Sequence, residues 1–163
     1  MAISIDGFVA KKDGNSDWVS PVDSANFEQK IKEKGCIIVG RKTFDQYQGD
    51  LYPVKGVTNI LVTSNSSLKS EQDNVVYAQT PREAIKLAQG RGHNEALLIG
   101  GGTTNGLFLK EGLIDEVFLS VHPLILGSGI KLFEGVETDI KLEFLDQGGL
   151  GEGLIQLHYQ VIK

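Results

Sequence analysis

The chain has 163 residues, the size of one ordinary domain, and 40% of them are hydrophobic, which is enough for a core. The 16 basic and 21 acidic residues give a net charge of −5, which disfavours a general nucleic-acid surface but allows one small cationic pocket. No apolar run is long enough for a membrane span, and the single Cys excludes a disulfide framework. We therefore expect one soluble, cytoplasmic domain over residues 1–163 that binds neither nucleic acid nor membrane.

Short β-branched runs alternate with helical stretches along the first two thirds of the chain. The expected strands are 3–5, 36–39, 59–63, 75–77 and 96–99, and the expected helices are 22–34, a short one after Gly40, 81–89 and 103–110. Three further strands, 116–121, 141–146 and 154–162, follow one another with turns between them. The pattern predicts a three-layer α/β fold with a mostly parallel central sheet of about eight strands and an antiparallel C-terminal edge.

Three of the predicted strands end in residues suited to binding an anion. Gly40-Arg41-Lys42-Thr43 places two cations in the first turn of a helix, where they are unfavourable unless an anion occupies the turn. A solvated pair of surface cations explains this motif equally well. Gly100-Gly101-Gly102 before Thr103 removes every Cβ between a strand and a helix, which lets backbone N–H groups approach a pyrophosphate or simply makes a tight turn. Thr63-Ser64-Asn65 could hold a 2′-phosphate, although such runs are usually plain loop.

An acid begins the apolar face of the first helix. Ser20, Pro21 and Asp23 have the form of a capping box in which Asp23 reaches back to the backbone of Ser20. Asp23 also shares a helical stripe with Phe27 and Ile31, so its carboxylate should lie at the mouth of an apolar cleft. The residues expected on other faces of this helix are Glu28, Lys30 and Lys32. We favour a role for Asp23 as a proton donor or substrate anchor.

The three histidines, His93, His122 and His158, show no metal-ligand spacing, and we predict no metal site. Cys36 opens an apolar strand and is expected to be a core residue.

Taken in order, these pieces resemble the dihydrofolate reductase superfamily over essentially the whole chain. The opening Ser4-Ile5-Asp6-Gly7-Phe8-Val9-Ala10 is similar to the first strand and nicotinamide-facing loop, and Trp18, Pro21, Asp23 and Phe27 match the W-x-x-P-x-D-x-x-x-F run. The resemblance implies NADPH as cofactor, bound by Ala2, Ala10, Gly40, Arg41, Lys42, Thr43, Thr63, Ser64, Asn65, Gly100, Gly101, Gly102 and Thr103. It also implies that Asp23 and its hydroxyl partner Ser120 are catalytic, and that Trp18, Asp23 and Phe27 bind substrate.

Two departures concern the substrate. Val57 lies where a folate reductase has the Arg that binds the glutamate carboxylate. The segments Val121-His122-Pro123-Leu124, Leu126-Gly127-Ser128-Gly129 and Leu132-Phe133 resemble the riboflavin-biosynthesis (RibD C-terminal) branch. The resemblance therefore implies an NADPH-dependent reductase that transfers hydride to a C=N carbon of a pterin-like or ribosylamino-pyrimidine substrate.

Two other classes of function stay open at this point. One is a protein of the same fold that binds NADPH without turnover, as a sensor or interaction module. The other is a flavodoxin-like domain that binds FMN. The antiparallel C-terminal edge is a candidate surface for a homodimer.

Overall fold

The computed structural model describes residues 1–163 and contains ten strands and four helices. The strands are β1 (Ala2–Ser4), β2 (Phe8–Ala10), β3 (Cys36–Gly40), β4 (Thr58–Val62), β5 (Val75–Ala78), β6 (Leu97–Leu98), β7 (Glu116–His122), β8 (Ile130–Lys131), β9 (Leu142–Gly151) and β10 (Leu154–Val161). The helices are α1 (Pro21–Lys34), α2 (Arg41–Gln46), α3 (Pro81–Gly90) and α4 (Gly102–Lys110). None of these helices is long and apolar enough to cross a membrane.

The strands form three hydrogen-bonded sheets. The first sheet has the strand order β5-β4-β3-β6, and all its strands are parallel. The second has the order β1-β7-β10-β9, in which β1 and β7 are parallel while β10 is antiparallel to both β7 and β9. The third is the antiparallel pair of β2 and β8. The mixed α/β fold with an antiparallel edge is confirmed, but the single sheet of about eight strands is wrong. Strand β6 has only two residues before the glycine turn, where Gly100 adopts φ 101°, and β1 pairs with β7 instead of β6.

The sequence located the ends of α1, α3 and α4 to within one residue and predicted a short helix where α2 lies, but it was less accurate for the short strands. It missed β2 and β8, which have three and two residues, because such short segments show no periodicity. The strand expected at 141–146 corresponds to β9, which continues to Gly151 because it pairs with β10 along its whole length. Pairing with a partner strand overrides the low strand propensity of Gly148 and Gly149.

The core lies on both faces of the parallel sheet, since its central strands β3 and β4 are covered on each side. One face packs α1 and α2 against β3 and β4, with Ile31, Ile37, Phe44 and Leu61 buried. The other face packs Ala84 and Ala88 of α3 and Phe108 of α4 against Cys36, Ile38 and Ile60. Cys36 has no exposed surface, as expected for a core residue. This packing holds the carboxyl ends of β3 to β6 at one edge of the sheet.

Candidate functional site

A cavity of about 1090 Å³ opens at this edge and continues between α1 and β7. Its lining includes every predicted site residue except Trp18 and Gly100, namely Ala2, Ala10, Asp23, Phe27, Gly40, Arg41, Lys42, Thr43, Thr63, Ser64, Asn65, Gly101, Gly102, Thr103 and Ser120. These residues come from distant parts of the chain, and the parallel sheet brings them together because its strands all end at the same edge. Gln79, the first residue after β5, also lines the cavity, and its position directly after a strand is the signal that could have found it.

The turns after β3 and β6 form one continuous surface. The backbone N–H of Gly40 donates to the carbonyl oxygen of Gly100 at 2.7 Å. A Cβ on Gly101 would lie 2.9 Å from Oγ1 of Thr43, so the glycine turn packs directly on the first turn of α2. Gly101 is the N-cap of α4 and supplies no side-chain acceptor, which leaves N–H groups of that helix without a cap. A surface of this kind suits an anionic group of a ligand.

The charges around these turns have mixed sign. Nε of Arg41 donates to Oδ2 of Asp45 at 3.1 Å, while Lys42 is exposed and forms no ion pair. The hydroxyl of Thr103 donates to Oε2 of Glu134 at 2.8 Å, so this side chain is already engaged. The free cation at this end of the cavity is therefore Lys42, with Arg41 held in place by Asp45.

The turn after β4 is organised mainly by its own side chains. Oγ1 of Thr63 accepts from the backbone N–H of Asn65 at 3.2 Å, and Oδ1 of Asn65 accepts from the backbone and hydroxyl of Ser67 at 3.0 and 2.7 Å. The Ser64 side chain is exposed and forms no hydrogen bond. Of the three predicted residues, Ser64 therefore has the side chain that is free to meet a ligand.

The capping box expected at the start of α1 is only half formed. The hydroxyl of Ser20 accepts from the backbone N–H of Asp23 at 3.2 Å, but the N–H of Ser20 donates to Nε2 of His122 at 3.2 Å instead of to the Asp23 carboxylate. Asp23 is 4% exposed, and its carboxylate accepts no hydrogen bond. The buried side-chain atoms that lack a hydrogen-bond partner are Nε1 of Trp18 and Oδ1 of Asn105. The Asp23 carboxylate is not among them, because it opens onto the cavity, where a ligand can reach it.

His122 is the residue next to Asp23 that the sequence did not single out as functional. Its Nδ1 lies 3.0 Å from the carbonyl oxygen of Ser120 and must donate to it, whereas Nε2 accepts from Ser20. The imidazole is therefore neutral, and the 3.9 Å separation between its Nε2 and Oδ2 of Asp23 is not an ion pair in this state. The ring of Trp18 contacts His122 edge to face, with centroids 5.0 Å apart. Trp18 thus lies behind His122 and not in the cavity lining.

Ser120 lies beside Gln156 on the adjacent strand, and both line the cavity. The Ser120 side chain makes no hydrogen bond to Asp23 or to any other group, so the resemblance-based pairing of this hydroxyl with the acid is not formed in the structure. The side chains of Ser120 and Asp23 are consequently both available to a ligand.

Lys30 lines the same cavity, although the helical pattern placed it on another face. Its Nζ lies 4.8 Å from the ring centroid of Phe118, within the range of a cation–π contact, and no carboxylate lies within 4.0 Å of it. The Phe118 ring stacks on His158 at 3.8 Å, and His158 in turn contacts Oε2 of Glu116 at 2.8 Å. This stack fixes the aromatic ring beneath the lysine. The α1 wall of the cavity therefore carries an acid at one end and a cation at the other.

Val57 does not line the cavity. It is 3% exposed in the core, and its carbonyl oxygen accepts from Nδ2 of Asn59 and Nδ2 of Asn74 at 2.8 and 3.2 Å. The nearby wall is made by Tyr47, Leu51 and Tyr52, and burial raises the pKa of the Tyr52 hydroxyl so that it stays neutral. An arginine is therefore missing from this wall.

No group of three or more His, Cys, Asp or Glu side chains is arranged to hold a metal ion.

The chain matches the family model of the RibD C-terminal domain over residues 1–155. It belongs to that family. It is also 30% identical over 168 residues to the uncharacterized protein YwjB of Bacillus subtilis, covering 98% of this chain and 94% of that protein. It is 26% identical over 148 residues to the riboflavin biosynthesis protein RibD of Corynebacterium ammoniagenes, covering 81% of this chain but 44% of that protein.

A solved structure shows the same fold. The diaminohydroxyphosphoribosylaminopyrimidine deaminase/5-amino-6-(5-phosphoribosylamino)uracil reductase of Thermotoga maritima superimposes with a TM-score of 0.76 at 17% identity, covering 99% of this chain and 55% of that protein. The chain thus spans about half of such RibD proteins. This RibD C-terminal family member accordingly has the dihydrofolate reductase-like fold of the RibD-type reductases, and the family is one of oxidoreductases.

Proposed function

We propose that the protein is an NADPH-dependent reductase that transfers hydride to a C=N carbon of a ribosylamino-pyrimidine or pterin-like substrate. The observation that carries this proposal is the Asp23 carboxylate, which is 4% exposed, accepts no hydrogen bond and faces the cavity that the turns of Gly40 and Gly101 also line. An acid and an anion-binding surface in one cavity suit a substrate and a dinucleotide side by side.

The residues present fit the cofactor. The uncapped start of α4 at Gly101, with Thr43 packed against it, would hold the pyrophosphate, and Arg41, Lys42 and Ser64 would hold the 2′-phosphate. Ala2 and Ala10 would border the nicotinamide end, because they have no long side chain to obstruct a flat ring. When bound, NADPH supplies the hydride. As a carboxylate, Asp23 would accept hydrogen bonds from ring N–H groups of the substrate. In its protonated form it, or a water beside it, would deliver the proton to the nitrogen of the C=N bond whose carbon receives the hydride.

Lys30 supports a phosphorylated substrate over a folate. Lys30 follows Asp23 by seven positions along α1, which is roughly 10 Å at 1.5 Å per residue. A substrate with a hydrogen-bonding ring at Asp23 and an anionic group at Lys30 would span that distance. The wall of Tyr47 and Leu51 offers no cation for a glutamate tail. The Thermotoga maritima protein is a reductase of a phosphoribosylamino-uracil, and we propose the same substrate class here.

The test is NADPH oxidation with the phosphoribosylamino-pyrimidine, its dephosphorylated form and dihydrofolate as separate acceptors. We expect turnover with the first. Lys30→Gln should raise its KM by roughly 10-fold or more, as expected for loss of one charged hydrogen bond, without changing the KM of the dephosphorylated form. Lys32→Gln is the matched control, since Lys32 is exposed on the same helix outside the cavity. Turnover with dihydrofolate alone would show that the substrate is pterin-like and not a ribosylamino-pyrimidine.

A protein that binds NADPH without turnover is the second candidate, and it is supported by the hydroxyl of Ser120, which is not joined to the acid as the reductase resemblance implies. Tight NADPH binding with no oxidation in all three assays would favour it. Binding of FMN but not NADPH would instead favour the flavodoxin-like alternative.

We also propose a homodimer formed through the sheet face of β7, β9 and β10 that points away from the cavity. Residues on β10 alternate, so Gln156 lines the cavity while Ile155 points to the opposite face and is 50% exposed. Phe144 on β9 is 53% exposed as well. An apolar sheet face of this kind marks an interaction surface. Sedimentation should show a dimer that Ile155→Asp converts to a monomer, while Lys69→Asp, in a distant loop, does not.

A further inference from the structure

The backbone N–H of Ser20, the N-cap residue of α1, has one acceptor in the structure and another in the pattern of its sequence. In a capping box, the N–H of the N-cap residue donates to the acid at the third helical position, which here is Asp23. In this structure the N–H of Ser20 donates to Nε2 of His122 at 3.2 Å. His122 and Asp23 therefore compete for one hydrogen bond, and their side chains are 3.9 Å apart.

His122 can hold this hydrogen bond because the surrounding structure fixes its ring and tautomer. Nδ1 donates to the carbonyl oxygen of Ser120 on the same strand at 3.0 Å, which leaves the lone pair of Nε2 for Ser20. The edge of Trp18 packs on the ring at an interplanar angle of 88°. The imidazole side chain is 5% exposed, so water does not replace Ser20 as its partner.

We propose that His122 is a positioning residue that keeps the Asp23 carboxylate available to ligands by accepting the hydrogen bond of Ser20. Without His122, the Ser20 N–H would lose its acceptor, and the Asp23 carboxylate, which accepts no other hydrogen bond, would take its place in the capping box. The acid would then face the helix end instead of the cavity. The consequence for catalysis rests on the proposed reductase function, whereas the competition for Ser20 does not.

A double-mutant cycle in thermal unfolding tests the competition without any substrate. In the wild type, Asp23→Ala removes no cap and should lower the unfolding midpoint only by the lost interaction of its charge with the start of α1. In a His122→Leu background the same substitution should lower the midpoint by about 2–4 °C more than in the wild type, the shift of one helix cap in a domain of this size. The interaction of the Asp23 charge with the helix dipole is present in both backgrounds and cancels in the cycle. Equal effects of Asp23→Ala in both backgrounds would overturn the proposal.

His122→Gln is the conservative variant, because its side-chain oxygen can accept from Ser20. We expect it to behave as the wild type in the cycle. With the acceptor that the wild type reduces, His122→Leu should lower kcat by roughly 100-fold and leave the Kd of NADPH unchanged. His122→Gln should keep most of the wild-type kcat. Full kcat in His122→Leu would contradict the positioning role. If the wild type reduces none of the three acceptors, the reductase proposal fails and the stability cycle still decides the competition.

The wild-type protein offers a test that needs no variant. A long-range ¹H–¹⁵N NMR correlation should show a neutral His122 ring with its proton on Nδ1. A proton on Nε2 would mean that Ser20 cannot donate to this atom, and the proposal would be wrong.

Discussion

The backbone N–H of Gly40 donates a 2.7 Å hydrogen bond to the carbonyl oxygen of Gly100, which ties the carboxyl end of β3 to the glycine turn after β6. Fifty-nine residues of chain lie between Gly40 and Gly100. Joined in this way, the two turns place the cations of α2 beside the uncapped start of α4. The predictions about the cofactor follow from this pairing.

We predict a preference for NADPH over NADH. Arg41→Ala should weaken NADPH binding by about 1.5–3 kcal/mol, the range for a hydrogen bond to a charged group, and should leave NADH binding nearly unchanged. Titration calorimetry with both cofactors measures the difference. Lys69→Ala, an exposed lysine outside the cavity, is the control and should change neither affinity. Equal affinity of the wild type for the two cofactors would contradict the prediction.

The two glycines at the start of α4 should respond differently to alanine. A Cβ on Gly101 would meet the side-chain oxygen of Thr43 at 2.9 Å, which can shift, so Gly101→Ala should fold and bind NADPH more weakly. A Cβ on Gly102 would overlap the backbone carbonyl oxygen of Lys131, which cannot easily move, so Gly102→Ala should lose thermal stability. Unfolding midpoints and cofactor affinities of the two variants separate these outcomes. Intact NADPH binding by a destabilised Gly101→Ala would mean that Gly101 only shapes the turn.

Asp23→Asn should lower kcat by on the order of 100-fold, because the amide keeps the shape of the acid but cannot donate a proton in its place. Stability should change little, since Ser20, and not the Asp23 side chain, makes the cap. Steady-state kinetics and thermal unfolding check the two parts. Asp17→Asn is the matched control: this exposed carboxylate lines the same cavity but is paired with Lys11. An unchanged rate with a loss of stability would identify Asp23 as a structural cap.

Alkaline pH should destabilise the protein through Cys36. Burial raises the pKa of its thiol from 9.0 to about 11, so the folded state holds the proton that the unfolded state releases first. The free energy of unfolding should therefore fall as pH rises from about 9 to about 11. Denaturant unfolding over this range should show a shallower decline in Cys36→Ala than in the wild type. The raised pKa of Tyr52 acts in the same direction and remains in both proteins. Parallel pH profiles would show that the thiol does not contribute.

Much of the candidate site was predictable because each of the turns that line it is a local signal. Gly40 to Thr43 and Gly101 to Thr103 each follow an apolar run directly, and a parallel sheet must bring such ends together. Lys30 was misassigned for a physical reason: a long flexible side chain can reach around a helix to an aromatic ring, here Phe118, that lies 88 residues away in sequence.

The sequence by itself determined the α/β class, the helices and the residues that end the parallel strands, because hydrophobic periodicity, caps and glycines act over a few neighbouring residues. Only the tertiary structure decided the partner of the Ser20 N–H. The local pattern Ser20 to Asp23 specifies a capping box, yet His122, 102 residues away, takes that hydrogen bond. A contact of this kind depends on how β7 packs against α1, and no local sequence pattern encodes which of two acceptors a backbone N–H will meet after folding.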